Sequence, residues 1–246
     1  MIDVHCHLLP GIDDGPQTLG IALALARHAV ASGIVTAIAT PHIFPRHYDN
    51  TLSGIREAAL RFRAELQARN IALALGYAAE VRIGPEVISL VEEQSLPLLG
   101  SVDGYGIVLL EFPDSHILPG SDKLVEWLLS RKIRPLISHP ERNKDVMRDL
   151  ESIAPFVQMG CWLQLTAGSV TGVFGPRCRA RSRQLLERGW ANVLASDGHD
   201  MPGREPELGP GRAAAADIVG EAESWRLVRE RPAAIVATNM GLAEAA

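Results

Sequence analysis

The chain opens with Met1-Ile-Asp-Val-His-Cys-His-Leu-Leu-Pro-Gly-Ile-Asp-Asp-Gly15, and this stretch decides how the rest is interpreted. Residues 2–5 predict a short buried strand, in which alternate side chains share a face. His5 and His7 should therefore point the same way, about 6.6–7 Å apart along the backbone. An isolated pair of this kind is more often two hydrogen-bonded histidines than a metal site. Asp13 and Asp14 in the following loop favour the metal site.

The composition is that of an ordinary globular protein. The 246 residues are 47% hydrophobic and 22% charged, which suits one domain with a large core. No apolar run approaches the roughly 18 residues of a membrane span, and the first predicted strand leaves no room for a signal peptide before it. We therefore expect a cytoplasmic protein without membrane insertion.

Charge and cysteine content argue against several other classes. The net charge of -5 disfavours nucleic-acid binding, which needs a basic face. Cys6, Cys161 and Cys178 are an odd, scattered set without Cys-x-x-Cys spacing, so neither a disulfide framework nor a thiolate zinc site is indicated. An anionic substrate would need local positive charge, from metals or a few arginines.

Apolar runs alternate with helical periodicity along the whole chain, which predicts an α/β fold with parallel strands and helical crossovers. Strands are predicted near 2–5, 34–39, 72–79, 105–110, 133–138, 161–165 and 191–196. Helices are predicted near 18–32, 51–69, 84–94, 121–132, 145–159, 177–188, 206–219, 223–230 and 232–243. No repeat, low-complexity tract or linker marks a boundary, so residues 1–246 are predicted to form a single domain.

Candidate metal ligands follow six of the seven predicted strands. In chain order they are His5, His7, His42, Glu80, Glu111, His139, Asp197 and His199, with Asp14 in the first loop. In a closed parallel barrel the carboxyl ends of the strands share one rim, where such enzymes place their chemistry. Each residue alone could be a cap, a turn residue or a surface carboxylate, but together they predict one metal site.

The ligand types restrict the metals. Imidazoles and carboxylates without thiolates suit Mn, Fe or Zn, and eight or nine such groups are too many for one ion. Two or three ions are therefore predicted. A metal-activated hydroxide would be a ready nucleophile near neutral pH, and the ions would neutralise charge on a transferring phosphoryl group.

Several motifs together resemble the PHP (polymerase and histidinol phosphatase) superfamily of metal hydrolases, and within it the manganese-dependent tyrosine-protein phosphatases of bacterial capsule and exopolysaccharide synthesis. They are His5-Cys-His-Leu-Leu-Pro-Gly-Ile-Asp-Asp-Gly15, Ala39-Thr-Pro-His42, Ala79-Glu-Val-Arg-Ile83, Leu110-Glu-Phe-Pro113, Ser138-His-Pro-Glu-Arg-Asn143, Gln164-Leu-Thr-Ala-Gly-Ser169 and Ser196-Asp-Gly-His199. The resemblance implies a distorted seven-stranded, TIM-like (β/α)7 barrel with three metals.

The resemblance also implies residue roles. The first metal would be held by His5, His7, Glu80 and Asp197, the second by Glu80 as a bridge with Glu111 and His139, and the third by Asp14, His42 and His199. Arg142 and Arg204 match the arginines that orient the substrate. The general acid stays open between His199, Asp200 and a metal-bound water. Gly198 departs from the family pattern, which usually has alanine there.

The resemblance implies a phosphotyrosine protein as substrate, most plausibly a bacterial tyrosine kinase that controls polysaccharide synthesis. A small-molecule phosphatase of the same superfamily, such as a histidinol phosphatase, and a phosphodiesterase are the alternatives. A non-catalytic module that binds the kinase tail is a third, although it would not need so many ligands. The natural substrate, the metal bound in the cell and the oligomeric state stay open.

Two features could mislead. Cys6 invites comparison with thiol phosphatases, but the arginine that their loop needs six residues later is Ile12 here, so Cys6 is predicted to pack in the core. Arginines at 177, 179, 181 and 183 crowd one predicted helix. A solvated face is the default interpretation of such a run, and a docking surface is the alternative.

Overall fold

A computed structural model describes residues 1–243, so the last three residues of the predicted domain lie outside the described residues. All seven predicted strands are present, with three further short ones. In chain order the strands are β1 (Ile2–Cys6), β2 (Thr36–Ala39), β3 (His42–Ile43), β4 (Ala74–Tyr77), β5 (Glu80–Arg82), β6 (Gly100–Val102), β7 (Tyr105–Glu111), β8 (Ile133–Ser138), β9 (Trp162–Thr166) and β10 (Ala191–Ala195).

The strands form two sheets that run into each other. β1, β2 and β4 pair in parallel, and the second sheet has the order β10-β9-β8-β7-β5-β3, also parallel. β3 and β5 follow β2 and β4 after two residues each, so strands of the first sheet continue into the second. The predicted α/β class with parallel strands is confirmed.

Backbone contacts also bring β1 beside the chain that leaves β10. Cys6 forms a parallel bridge with Gly198. The amide of Asp197 donates to the carbonyl of His5 over 2.8 Å, and the amide of His7 donates to the carbonyl of Gly198 over 2.8 Å. The first and last predicted strand ends are therefore neighbours.

A β-hairpin is the one antiparallel unit among the paired strands described, and the sequence interpretation missed it. β6 pairs with β7 in the register Val102 to Tyr105, with Asp103 and Gly104 as the two-residue turn. Both turn residues have positive φ, 52° and 76°. An Asp-Gly turn of this kind twists in the sense that adjacent antiparallel strands require.

Twelve α-helices are described in residues 1–243: α1 (Leu19–Ala31), α2 (Leu52–Ala68), α3 (Glu86–Glu92), α4 (Ser121–Ser130), α5 (Lys144–Arg148), α6 (Ala154–Met159), α7 (Ala167–Thr171), α8 (Pro176–Glu187), α9 (Gly209–Val219), α10 (Glu221–Trp225), α11 (Arg231–Val236) and α12 (Met240–Ala243). None of them is long and apolar enough to cross a membrane.

The prediction of one helix over 145–159 is wrong. Asp149 has an extended backbone, with φ -140° and ψ 115°, and its side chain accepts from the amide of Glu151. Because an aspartate can satisfy the amides of a new helix start, the chain restarts as a 3-10 turn, Leu150–Ile153, before α6. The predicted last helix, 232–243, is likewise interrupted, between α11 and α12.

The strands have two apolar faces. Along β7, Ile107 and Leu109 belong to the smaller apolar cluster, called the inner cluster. Val108 and Leu110 belong to the larger, outer cluster, which holds the buried apolar residues of α1, α2 and α4. This alternation is the two-residue period of a strand with both faces buried. Glu111 continues the parity of Ile107 and Leu109, so a carboxylate follows the inner apolar layer at the strand end.

A register irregularity in β1 redirects its side chains. Val4 lies in the inner cluster, but Cys6, two residues on, lies in the outer one. The pairing of β1 with β2 shifts between Asp3 and Cys6. Irregularities of this kind re-aim side chains and are frequent beside functional sites. Here His5 and His7 turn to one side and Cys6 packs on the other.

Candidate metal centre

The predicted ligands of six strand ends lie together in three overlapping groups. In the first group, the ligand atoms of His5, His7, Glu80 and Asp197 all lie within 4.8 Å of one another. Nε2 of His5 is 3.2 Å from both Oε2 of Glu80 and Oδ1 of Asp197. All four side chains are buried. This is the residue set that the resemblance implied for a first metal.

The second group extends from the first towards solvent. It combines His7, Asp14, His42 and His199. Oδ1 of Asp14 lies 3.2 Å from Nε2 of His199 and 3.4 Å from Nε2 of His42. The structure therefore brings together the implied third set, Asp14, His42 and His199, and adds His7 to it.

The third group lies on the other side of His42 and combines it with Glu80 and Glu111. Nδ1 of His42 is 3.2 Å from Oε2 of Glu80 and 3.7 Å from Oε2 of Glu111. His139 contacts this group through Glu80 alone, with Nε2 2.9 Å from Oε1. The implied second set, Glu80, Glu111 and His139, is thus assembled around Glu80, and His42 faces two groups at once.

Several ligand atoms of the centre lie 3.0–3.2 Å from another ionisable side chain but form no hydrogen bond of normal geometry. Among residues 1–243, such buried atoms include His42 Nδ1, Glu80 Oε2, Glu111 Oε2, Asp197 Oδ1 and His199 Nε2. Buried polar atoms are nearly always partnered, because leaving them unpaired costs free energy. These five are the atom types that bind Mn, Fe or Zn. The donor set therefore fits metal ions.

Backbone strain supports the same assignment. His139 and Asp197 have positive φ values, 29° and 52°. Residues with side chains seldom adopt this region, and such strain is concentrated at functional sites. In both cases a ligand-type side chain follows a strand end.

Crowded charges shift the pKa values in opposite directions. Burial and the neighbouring Glu80 raise the pKa of Glu111 to about 8. Burial would raise the pKa of Glu80 too, but His5, His42 and His139 hold it well below its usual value. A divalent cation between the two carboxylates would favour the ionised form of both.

A second layer of polar groups orients two of the histidines. Nδ1 of His5 lies 2.8 Å from Oε1 of Gln164, and Nδ1 of His7 lies 2.7 Å from Oδ2 of Asp13. Because each Nδ1 donates outward, Nε2 of the same ring keeps its lone pair for a metal. The sequence interpretation missed the role of Gln164, although it stands in a quoted motif, and gave Asp13 no separate role.

The two predicted arginines meet at one carboxylate. Nη1 of Arg142 donates to Oδ2 of Asp197 over 2.5 Å, and Nη2 of Arg204 donates to the same oxygen over 2.8 Å. Burial would lower the pKa of Arg142, but Asp197 and Asp114 raise it. The guanidinium of Arg142 also lies 5.0 Å from the ring centre of Phe174. Both arginines line a cavity of about 310 Å³ above the ligands.

Aromatic residues and a third arginine form one wall of this cavity. Phe44, His47 and Tyr48 come from the loop after β3, and Arg82 follows on β5. The rings of Phe44 and His47 stack at 4.2 Å between centres, and Tyr48 stacks on the metal-group histidine His42 at 5.6 Å. Sequence reasoning missed Arg82, Phe44 and Tyr48.

Arg82 joins this wall to the ligands. Its Nε lies 3.0 Å from Oε2 of Glu111, and its guanidinium lies 4.3 Å from the ring centre of Phe44. A candidate ligand thus holds the arginine on which the aromatic wall rests.

Cys6 and Gly198 both lie on the seam between β1 and the chain after β10. Cys6 is fully buried, and its thiol donates to the carbonyl of Ile38; the prediction that it packs in the core is confirmed. At Gly198, an added Cβ would lie 2.8 Å from Cα of Pro206. The loop that carries Arg204 therefore approaches too closely for alanine, which explains the departure from the family pattern.

Comparison with known proteins decides the family. The family model described as capsular polysaccharide synthesis, CpsB/CapC, matches residues 1–237. The chain belongs to this family. It is 36% identical to the tyrosine-protein phosphatase YwqE of Bacillus subtilis over 206 residues, which cover 83% of this chain and 79% of YwqE. It is 25% identical to the tyrosine-protein phosphatase CpsB of Streptococcus pneumoniae over 243 residues, which cover 96% and 98% of the two chains.

A solved structure has the same fold. One chain from the crystal structures of YwqE and CpsB, described as unique metal-dependent tyrosine phosphatases, superposes on this CpsB/CapC family member with a TM-score of 0.89. The sequence identity is 31%, and the match covers 96% of this chain and 94% of that chain. The PHP-like resemblance seen in the motifs is thereby confirmed.

Proposed function

We propose that this CpsB/CapC protein is a metal-dependent phosphomonoesterase that hydrolyses phosphotyrosine in a protein. The observation that carries this proposal is the arrangement of eight ligand-type side chains in three groups, with His139 on Glu80, beside two arginines that both contact Asp197. A phosphate ester needs cations on its oxygens and an activated water at phosphorus. The cavity brings both requirements together in a chain whose relatives carry the name tyrosine-protein phosphatase.

Two to three metal ions, manganese in the first instance and iron or zinc as alternatives, suit this centre. His5, His7, Glu80 and Asp197 would hold one; Glu80, Glu111 and His139 a second; Asp14, His42 and His199 a third. When bound, the ions supply Lewis acidity and lower the pKa of coordinated water.

Arg142 and Arg204 bind the phosphoryl oxygens. A guanidinium matches two phosphate oxygens with parallel hydrogen bonds, and each arginine uses one nitrogen on Asp197. Nε of Arg204 has no hydrogen-bond partner among residues 1–243, and Nη2 of Arg142 has only the 3.9 Å contact with Asp114, so N–H groups of both remain for phosphate oxygens. Because Asp197 fixes both forks, they are oriented before substrate arrives, and their hydrogen bonds strengthen as charge builds on the oxygens.

Phe44, His47 and Tyr48 supply the selectivity for an aromatic ester. A phosphotyrosine ring on the cavity wall can stack on these rings, an interaction worth about 0.5–1.5 kcal/mol per pair beyond burial. Phenolate is also a good leaving group, since a phenol has a pKa of about 10. A phosphoserine side chain offers neither the ring nor the leaving group.

The wider assignments follow the same proposal. The two sheets are one distorted barrel of seven main strands, supported by the Cys6–Gly198 bridge, and residues 1–246 make one domain. The substrate is a tyrosine kinase of capsule or exopolysaccharide synthesis. The protein meets it in the cytoplasm, a reducing compartment that suits the three free cysteines of this chain.

One substrate panel tests the function. Turnover of a phosphotyrosine peptide, histidinol phosphate and a phosphodiester is measured with manganese on one preparation. We expect the phosphotyrosine peptide to have the highest kcat/KM. Preference for histidinol phosphate or the diester would overturn the assignment in favour of another PHP hydrolase, and no turnover with intact metal would favour a binding module.

A further inference from the structure

A basic groove lies between α5 and α8, outside the metal centre. It has a volume of about 470 Å³ and is lined by Lys144 and Arg148 from α5 and by Arg177 and Arg181 from α8. The other lining residues are uncharged. Four cations in one groove stand out in a chain with a net charge of -5.

Two of these four cations have no hydrogen-bond or ion-pair partner on their side chains among the described residues. Within residues 1–243, the side chains of Lys144 and Arg177 form no ion pair, and both are exposed. Arg148 pairs with Asp145 over 3.0 Å. Arg181 donates to the carbonyl of Met147 over 2.7 Å and so ties α8 to α5. The groove is therefore a built concavity with two cations available to a ligand.

The groove lies close to the proposed phosphoryl site. Lys144 follows Arg142 by two residues, so their Cα atoms are at most about 7.6 Å apart. The amide of Lys144 donates to the carbonyl of Asp114, a residue of the catalytic cavity wall. The distance from the Cα of Arg142 to the last residue of α5 is no more than about 14 Å. About four residues of an extended peptide cover this distance.

We propose that this groove binds an acidic segment of the phosphoprotein substrate, within about four residues of its phosphotyrosine. The inference rests on the proposed function and adds a recognition site to it. A phosphotyrosine held by Arg142 leaves the flanking chain at the mouth of the groove, where Lys144 and Arg177 attract carboxylates. Such surface attraction acts mainly on capture of the substrate and weakens with salt.

Matched peptides and matched variants test it. Each peptide carries one phosphotyrosine and three glutamates, placed either before or after it. The matched control peptides have three glutamines in the same positions. We expect wild-type protein with manganese at low ionic strength to show kcat/KM about 3- to 10-fold higher for a glutamate peptide, as two exposed charge pairs can supply. The double variant Lys144→Glu, Arg177→Glu should lose this preference. Its KM for the glutamate peptide should rise while kcat stays unchanged.

The control is Arg179→Glu, Arg183→Glu, which makes the same charge change on exposed positions of α8 that do not line the groove. It should keep most of the preference. Equal loss in both double variants, or no preference in wild-type protein, would overturn the groove site. Free phosphotyrosine reports the proposed function separately: all folded variants should turn it over at the wild-type rate, and failure of wild-type protein there would overturn the phosphatase assignment instead.

Discussion

Arg142 and His5 contact the two oxygens of one carboxylate: Asp197 offers Oδ2 to Arg142 at 2.5 Å and Oδ1 to His5 at 3.2 Å. A single side chain therefore connects the arginine that is proposed to bind the phosphoryl group to the candidate metal ligands. Asp114 adds a longer contact, with Oδ2 3.9 Å from Nη2 of Arg142, whereas the two carboxylates that flank Arg142 in sequence are engaged elsewhere. Oε1 of Glu141 accepts from the amide of Thr166, and Asp145 pairs with Arg148.

Arg142→Ala should lower kcat by about 10²–10³, the usual effect of removing one preorganised donor. Arg142→Lys should recover little, because an ammonium cannot form the bidentate fork. Arg204→Ala should act in the same direction. Turnover, bound metal and melting temperature are measured on the same preparation. A fall in melting temperature with normal turnover per folded molecule would show that Arg142 only supports the structure.

Removal of metal should abolish activity. We expect chelator to inactivate the protein and manganese to restore it, because the ions would activate the attacking water and neutralise charge on the phosphoryl oxygens. Elemental analysis of the purified protein should find two to three equivalents. Undiminished turnover in chelator, with no bound metal, would contradict the metal centre.

Asp13→Ala should weaken metal binding by about 10–100-fold, the usual effect of losing the carboxylate that orients a ligating histidine. Asp13→Asn should be milder, since an amide oxygen can still accept from Nδ1 of His7. The measurement is a manganese titration followed by bound metal. Asp122→Ala, on the exposed first turn of α4, is the control and should leave affinity unchanged.

Phe44→Ala and Tyr48→Ala should reduce discrimination between aryl and alkyl phosphates. Loss of one ring contact worth about 0.5–1.5 kcal/mol corresponds to roughly 2- to 12-fold in kcat/KM for a phosphotyrosine peptide. Turnover of a phosphoserine peptide, measured beside it, should change much less. Equal losses on both peptides would mean that the loop after β3 positions His42 rather than the substrate ring.

Cys6→Ser should keep most activity, and alkylating reagents should have little effect. Burial raises the pKa of the Cys6 thiol well above its usual value, so the thiolate that a nucleophile needs is scarce. His42→Ala is the contrast and should nearly abolish turnover. Inactive Cys6→Ser protein with intact metal content would reverse the interpretation of this residue.

The strand ends could be predicted from sequence because they depend on local pattern. Each buried strand is an apolar run, and a polar ligand type directly after it, such as Glu111 or Asp197, falls on the shared rim. Gln164 could not be assigned in this way. It stands inside β9, and its partner His5 is 159 residues away. The pairing of Arg142 with Asp197, 55 residues away, is of the same long-range kind.

Two misses had local signals. The Asp103-Gly104 pair between short apolar runs is a strong hairpin signal, yet it lies between predicted strands and was passed over. Asp149 interrupts the helical pattern of 145–159, but a single polar residue does not distinguish a helix surface position from a new helix start.

The close approach of Gly198 to Pro206 has an evolutionary consequence. An added Cβ at position 198 would lie 2.8 Å from both the Cα and the N of Pro206. Because these are backbone atoms, no change of side chain at 206 would make room for it. Arg204, the second arginine proposed to bind substrate, lies between the two positions in the chain. Relatives with alanine at 198 must therefore give the backbone that carries this arginine a different path.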